Sequence, residues 1–341
     1  CGCAFPEAEA GMNVGRVIAL GAGLPVTTSG MTINRFCSSG LQAIADATAK
    51  VTVGWSDIII AGGVESMTHI PMGGGMFRPH PEWGDLPNTY VSMGVTAENV
   101  AATYKISRED QDKFGMESNR RAHEAIKAGT FKKEIIPINA VTYTADKHGK
   151  NIKEWAVFDT DDGVRWPTTL ENMAKLTSPF KEGGSVTAAN ASQMTDGAAF
   201  TLIMAAEKAK ELGLKPIARL THYAVAGCKP EEMGVGPSIA VPKVLKMAEL
   251  QSKDIDLFEI NEAFASQALY CIRKLDLEKR FDMGDINPNG GAIALGHPLG
   301  CTGAKLTTQL LYELKKRKAK RGIVAMCIGG GMGAAGIFEM I

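Results

Sequence analysis

Hydrophobic positions in this chain recur with two periods. At helical spacing, Val14, Val17 or Ile18, and Leu20 form an apolar stripe within residues 11–24, which Gly21 and Gly23 close. Leu41, Ile44, Ala45 and Thr48 mark a second amphipathic run, Leu41 to Val51. Between the two, Met31-Thr32-Ile33 is β-prone. Ile58-Ile59-Ile60 is a run of β-branched residues ending at Gly62-Gly63, which predicts a buried strand entering a tight turn. The order helix, strand, helix, strand is that of an α/β layer.

Residues 67–95 lack a clear period. Met67, Met72, Met76, Phe77, Trp83 and several prolines there argue against disorder. This loop either lines a pocket for an apolar substrate or forms a subunit contact. A long helix follows. Ser107-Arg108-Glu109-Asp110 reads as a capping box with Asp in the Glu position, and Gly129 closes the helix after Ala128. Phe114, Ser118, Ala122, Ala125 and Ile126 mark its buried face. Residues 134–158 read as short strands with a polar hairpin tip at Asp146-Lys147-His148-Gly149-Lys150, and Leu170 to Lys175 as a short helix. The small-residue segment from Thr187 to Ala199 precedes a strand, Phe200 to Met204. It either lets a ligand approach the backbone or packs tightly on a sheet.

The second half repeats the first in outline. Lys215 to Ala226 is strand-like and Val241 to Leu250 helical. Ile255 to Ile260 is a strand ending at Asn261. A glycine-rich stretch reaches His297-Pro298, a helix runs from Lys305 to Lys318, and a strand, Gly322 to Met326, ends in Cys327-Ile328-Gly329-Gly330-Gly331. Cys37-Ser38-Ser39-Gly40-Leu41 matches Cys301-Thr302-Gly303-Ala304. Ile59-Ile60-Ala61-Gly62-Gly63 matches Ala325 to Gly330. The pattern is that of an internal duplication.

Composition narrows the class. Lys plus Arg and Asp plus Glu are 37 each, so no net field attracts nucleic acid or an anionic membrane. No apolar run reaches membrane-spanning length. The seven cysteines are irregularly spaced, and Cys1-Gly2-Cys3 has no later pair to complete a zinc set, so free thiols in a reducing compartment are expected and no metal. Residues 1–6 look like the end of a strand, so further sequence is expected upstream.

A free Cys is most often a buried core thiol. Cys37, however, sits at a strand-to-helix turn with Ser38 and Ser39 at N-cap positions. Unpaired N–H groups and the helix dipole there favour a thiolate. Asn261, His297 and Cys327 also stand at strand ends or helix starts. Together the four supply a thiolate to attack a carbonyl, a His to take its proton, a second thiol to move an α-carbon proton, and a glycine turn to hold an oxyanion.

These motifs resemble the thiolases: Asn34-Arg35-Phe36-Cys37-Ser38-Ser39-Gly40, Gly62-Gly63-Val64-Glu65-Ser66-Met67, Asn261-Glu262-Ala263-Phe264, Gly296-His297-Pro298-Leu299-Gly300 and Cys327-Ile328-Gly329-Gly330-Gly331-Met332-Gly333. The likeness spans the chain in the family's order. It implies a duplicated five-layered αβαβα fold with an inserted loop domain that binds coenzyme A. Residues 1–66 with 191–214 would form one core half, 67–190 the loop domain, and 215–341 the other half. A strand, helix and strand would precede Cys1.

The resemblance also implies roles. Cys37 would be the acylated nucleophile, His297 its base and Cys327 the acid/base at the α-carbon. Asn261 would hold a water that forms one oxyanion hole with His297; the N–H groups of Cys37 and Gly329 would form the other. For coenzyme A, the co-substrate, Arg165 would face the nucleotide phosphate and Ser192 the pantetheine amide. Met93, Met173, Phe180, Met233, Ala263 and Phe264 would line the channel. Cys301 is read as packing. Ser92 stands where biosynthetic acetoacetyl-CoA thiolases carry His, and the Phe258 to Gln267 and Gly300 to Gly303 segments favour a 3-ketoacyl-CoA thiolase of β-oxidation. The alternatives are acetoacetyl-CoA synthesis, a β-ketoacyl synthase, or a non-catalytic CoA-binding relative. A homodimer or homotetramer, a β-oxidation multienzyme partner, and a cytoplasmic, peroxisomal or mitochondrial setting complete these expectations.

Overall fold

The computed structural model describes residues 1–82, 88–145 and 151–341. Trp83, Pro87 and the hairpin tip at Asp146 to Lys150 lie outside them. The helices are α1 (Val14–Gly21), α2 (Ser39–Thr52), α3 (Met93–Thr103), α4 (Arg108–Lys127), α5 (Leu170–Ala174), α6 (Ala206–Glu211), α7 (Gly236–Met247), α8 (Ala265–Lys274), α9 (Glu278–Asp282), α10 (Ala292–Leu295) and α11 (Leu299–Arg317). The strands are β1 (Ile58–Glu65), β2 (Ile138–Ala145), β3 (Asn151–Phe158), β4 (Gly197–Met204), β5 (Ala218–Gly227), β6 (Leu257–Ile260), β7 (Arg321–Ile328) and β8 (Met332–Met340).

One sheet has the order β5-β8-β7-β6, with only the β6–β7 pair parallel. Alternation along β7 assigns its two faces. Ile323 and Ala325 join Phe258, Ile260, Ala335 and Ile337 under α7 and α8. Val324, Met326 and Ile328 join Leu257, Ala334 and Phe338 under α2 and α11. Burial on both faces explains why β7 reads as an unbroken apolar run.

The other side of the α2–α11 layer meets β1, which pairs antiparallel with β4. Residues 66–196 therefore run out from one strand of a pair and return to the other. Met31-Thr32-Ile33 makes a single bridge rather than a strand: Ile33 pairs with Gly2, which also bridges Gly63 of β1. Beyond β1 and β4 lies α1, where Val14 and Ile18 meet Val64. Ile58, Ile60, Phe200 and Leu202 remain exposed on that face. Both halves share one order: a helix (α2 or α11), a strand (β1 or β7) and an antiparallel return strand (β4 or β8).

Three boundaries differ from the sequence reading. Helix α11 starts at Leu299, not Lys305, because Gly300 and Gly303 serve close packing rather than a turn. A Cβ on Gly40 of α2 would stand 2.8 Å from Gly300 O, and one on Gly303 would strike the Leu41 amide. Helix α7 starts at Gly236 and carries Pro242 inside it; Gly236 presses on Met332 and Gly333 of β8. Strand β8 begins Met332-Gly333-Ala334-Ala335-Gly336, a stretch to which the sequence pattern assigns no element; burial between helices makes it a strand.

Candidate active site

The turn before α2 is shaped by its own side chains. Asn34 Oδ1 accepts the Phe36 N–H at 2.8 Å, and its Nδ2 donates to Ala4 O at 2.8 Å. Phe36 takes a φ of +44°, which costs a bulky residue energy. Ser39 Oγ accepts the Arg35 N–H at 2.8 Å and donates to Phe36 O at 2.7 Å. These bonds hold Phe36–Ser38 as a 3-10 turn with Cys37 at its centre, walled by Ala4, Met67 and Leu299. Ser38 precedes the helix but makes no capping bond with its side chain.

The thiolate expected from the helix start is not the resting form. Burial pushes the Cys37 thiol up to about 11, against the pull of the Gly329 and Cys37 N–H groups at its sulfur. The reason is solvent: Cys37 is 5% exposed, so desolvation outweighs the local dipoles.

His297 enters from the loop between α10 and α11. Gly296 before it has a φ of +85° and lies against Thr195, where a side chain would clash. The His297 N–H donates to Gln193 O at 3.2 Å. Its Nδ1 lies 2.7 Å from Thr302 Oγ1 and its Nε2 lies 3.2 Å from Asn261 Nδ2. Burial, with the Lys305 charge, pulls the imidazole down to about 3, so it rests neutral. Thr302 carries no role in the sequence reading. Its signal is its position five residues after His297 on the first turn of α11.

Asn261 is positioned by its own loop. Its N–H donates to Ala325 O of β7 at 2.9 Å. Asn287 grips the preceding residue, accepting the Ile260 N–H and donating to Ile260 O, both at 2.8 Å, and also donates to Glu262. Glu262 further accepts from Ser118 Oγ of α4 at 2.6 Å. Among the described residues, Asn261 Oδ1 is buried without a partner, which fits a site for water.

Cys327, near the end of β7, is fully buried. Burial first, and the neighbouring Cys37 second, raise its thiol well above the usual range. The chain then turns at Gly330 and Gly331, both at positive φ, and brings Gly329 near Phe36 and the Met93 sulfur. Cys327 packs in one cluster with Met93, Met233, Ala263 and Phe264. Phe180 lies edge-on to Phe264 at 6.3 Å, and the Ser192 N–H donates to Ala263 O at 3.0 Å. Met173 instead packs near Gly115 of α4, and Arg165, exposed, bonds through its backbone N–H to Asn119 Oδ1 at 2.8 Å. Both lie outside the thiol cluster.

Two buried carboxylates hold the walls, and neither is singled out in sequence for that work. Glu65, ending β1, accepts the N–H groups of Ala4, Phe5 and Gly300 at 2.7, 3.1 and 2.8 Å, tying the Cys37 side to α11. Glu98 of α3 accepts from the Ser185 and Val186 N–H groups and from Ser178 and Ser185 Oγ. Burial pushes its pKa up, but these bonds win and hold it below the ordinary value. Among the described residues, no helix is long and apolar enough to cross a membrane, and no cluster of three His, Cys, Asp or Glu is arranged to hold a metal ion.

This geometry can be set beside known proteins. Residues 1–207 match the family model for the thiolase N-terminal domain, and residues 214–340 that for the thiolase C-terminal domain. The chain is 50% identical over 340 residues to a 3-ketoacyl-CoA thiolase of Bacillus subtilis (strain 168), covering 99% of this chain and 86% of that one. It is 47% identical to peroxisomal 3-ketoacyl-CoA thiolase 5 of Arabidopsis thaliana, covering 95% of this chain and 71% of the relative. The crystal structure of the dimeric peroxisomal thiolase of Saccharomyces cerevisiae superposes with a TM-score of 0.88 at 42% identity, over 100% of this chain and 84% of that one. That of the Bacillus anthracis acetyl-CoA acetyltransferase superposes at 0.87 and 40% identity, over 100% and 86%. With both halves matched, and with Cys37, Cys327 and the Gly329 turn drawn into one buried site, this chain belongs to the thiolase family.

Proposed function

We propose that the chain is an acyltransferase that cleaves 3-ketoacyl-CoA with coenzyme A, giving acetyl-CoA and a shortened acyl-CoA, as in β-oxidation. The observation that carries this reading is the pairing of Cys37 with Cys327 in one dry site, with the Gly329 N–H on the Cys37 sulfur. The identity to relatives named 3-ketoacyl-CoA thiolase supports it over acetoacetyl-CoA synthesis.

In this reading His297 Nε2 takes the Cys37 proton and the thiolate attacks the 3-keto carbon. The oxyanion is held by the Cys37 and Gly329 N–H groups, or by His297 with a water on Asn261. Collapse breaks the bond between the α-carbon and the keto carbon. Its electron pair goes to the α-carbon, which takes a proton from Cys327 and leaves as acetyl-CoA. Coenzyme A then gives its thiol proton to Cys327, its sulfur attacks the acyl carbonyl, and Cys37 leaves as a thiolate that takes its proton back from His297. Both thiols rest neutral, so charge forms only with substrate in place, where water is excluded.

Met93, Met233, Ala263 and Phe264 would flank the pantetheine arm beside Cys327, with Phe180 and Ser192 next along it. Arg165 and Met173 would act further out, at the nucleotide. Residues 67–190 would form the loop domain between core halves 1–66 with 191–214 and 215–341. A homodimer fits the dimeric yeast relative. The Bacillus relative favours a cytoplasmic setting, the peroxisomal relatives the alternative.

The test is a thiolysis assay across 3-ketoacyl-CoA chain lengths, following substrate loss with coenzyme A present. Peptide mass spectrometry after incubation with acetoacetyl-CoA should find acetyl on Cys37. No thiolysis at any length, or acetyl on Cys301, would overturn the assignment.

A further inference from the structure

His297 has two ring nitrogens, and the site works as a base only if the lone pair is on Nε2, the nitrogen beside Asn261. The surroundings of Nδ1 decide this. Thr302 Oγ1 lies 2.7 Å from Nδ1 and 2.9 Å from Pro298 O. A carbonyl oxygen can only accept, and Pro298 O, which also takes the Cys301 and Thr302 N–H groups at 2.9 Å, is the acceptor within reach of the Thr302 hydroxyl. With the hydroxyl proton on Pro298 O, the Thr302 oxygen offers Nδ1 a lone pair and Nδ1 carries the ring proton. On the other side, Asn261 Nδ2 at 3.2 Å, in this amide orientation, matches the same tautomer.

We propose that Thr302 is the positioning residue that fixes the His297 ring with its proton on Nδ1 and its base on Nε2. It touches neither Cys37 nor substrate, and acts through the ring. Its place in the fold suits this role, since Thr302 is 1% exposed in the first turn of α11, five residues beyond the ring it holds. The Thr302 N–H donates to the same Pro298 O at 2.9 Å, so the hydroxyl is held by the helix start. When Nε2 takes the Cys37 proton, the ring becomes a cation whose Nδ1–H is already met by an oxygen acceptor. A hydrogen bond to a charged group is worth more than one to a neutral group, so Thr302 favours the proton transfer as well as the tautomer.

The titratable groups of the elements packed here include Cys37 before α2, Cys327 of β7, Glu65 of β1, Glu259 of β6 and Glu262 after it, and Cys301, Lys305 and Glu313 of α11. Lys305 is the charge that acts on the ring. None of them is altered by a change at Thr302. The chemical purpose of the tautomer rests on the thiolysis reading; the tautomer itself does not.

Thr302→Val keeps the shape and removes the oxygen, whereas Thr302→Ser keeps the oxygen. The readout is the rate of Cys37 alkylation by iodoacetamide against pH, with labelling sites mapped by mass spectrometry. Thr302→Val should slow alkylation below pH 8 by roughly 10- to 100-fold, and Thr302→Ser should restore it to near the parent rate. Alkylation of Thr302→Val at the parent rate and pH profile, or failure of Ser to rescue, would overturn the proposal. Should Thr302→Val not fold, ring nitrogen NMR shifts of the 15N-histidine-labelled parent decide the matter. The His297 signal, found by its loss in His297→Asn, should report a proton on Nδ1, and a proton on Nε2 overturns the assignment. Alkylation and NMR need no substrate, so a parent protein that fails to cleave 3-ketoacyl-CoA sinks the function while leaving this inference open to its own test.

Discussion

Helices α2 and α11 begin alike, each with a cysteine and a small-residue turn, yet of the two cysteines only Cys37 has backbone N–H groups at its sulfur. In α2 the helix begins at Ser39, two residues after Cys37. The thiol is left in a 3-10 turn, where the Gly329 N–H reaches its sulfur. In α11 the helix begins at Leu299, two residues before Cys301. That thiol lies inside the first turn, and burial pushes it up to about 12 with no backbone donor opposing the rise. The difference is four residues of register between cysteine and helix start. The duplicated layer provides the same scaffold twice, and the position of the first helical residue decides which thiol meets the Gly329 N–H. The second copy contributes His297 and Thr302, which flank Cys301 in the chain.

Substitution at the two cysteines should separate the copies most. Cys37→Ala should lower thiolysis by roughly 10³-fold or more, the loss expected for a removed nucleophile. Cys301→Ala should cost only about 1–2 kcal/mol of stability with turnover nearly kept. Steady-state kinetics with thermal denaturation checks both, and equal loss of activity would erase the distinction. Cys327→Ala should cost on the order of 10²- to 10⁴-fold in turnover while Cys37 still alkylates, which separates the second thiol's role from the first.

Next in size are the joints between the copies. Glu65→Ala would orphan three buried N–H groups from both sides and should cost roughly 3 kcal/mol or more, read from urea midpoints. Gly303→Ala pushes a methyl into Leu41 and should cost about 1–3 kcal/mol, while Gly54→Ala, where nothing lies within reach, gives a smaller loss from its left-handed φ. The smallest effect sharpens the comparison by pH. Because Cys37 is held up at about 11, its alkylation rate should keep rising through pH 10, where an ordinary thiol of pKa about 8.5 has levelled off, and Cys301 should label more slowly at every pH. A plateau below pH 8 would mean that the resting site holds a thiolate.

Much of this is legible in the chain. Strand β1 announces itself in Ile58-Ile59-Ile60, and α4 in Ser107, whose Oγ accepts the Asp110 N–H at 3.0 Å. Cys37, Asn261, His297 and Cys327 are readable as candidates because each lies in a short motif at an element's end. Elements whose signals are tertiary are not. Strand β8 is built of Ala and Gly that only burial makes extended. Helix α8, Ala265–Lys274, has no strong cap to mark it. The sequence pattern begins helix α11 late, at Lys305 rather than Leu299, because its glycines look like a loop. The Cys37 charge state escapes the sequence for a related reason: a helix start is visible there, but the burial that overrides it comes from Ala4, Met67 and Leu299, which are far apart in the chain.

The Glu65 bond to the Gly300 N–H closes a loop of 235 positions. Contacts of such long separation form late in folding, because loop closure must be met before they return anything. The pocket around Cys37 takes its wall from Leu299 and its amide from Gly329, so it is finished only once the C-terminal half has arrived. Until then Cys37 is an ordinary accessible thiol on an incomplete protein. Its insulation from stray oxidants is thus a property of the finished chain, acquired at the end of assembly.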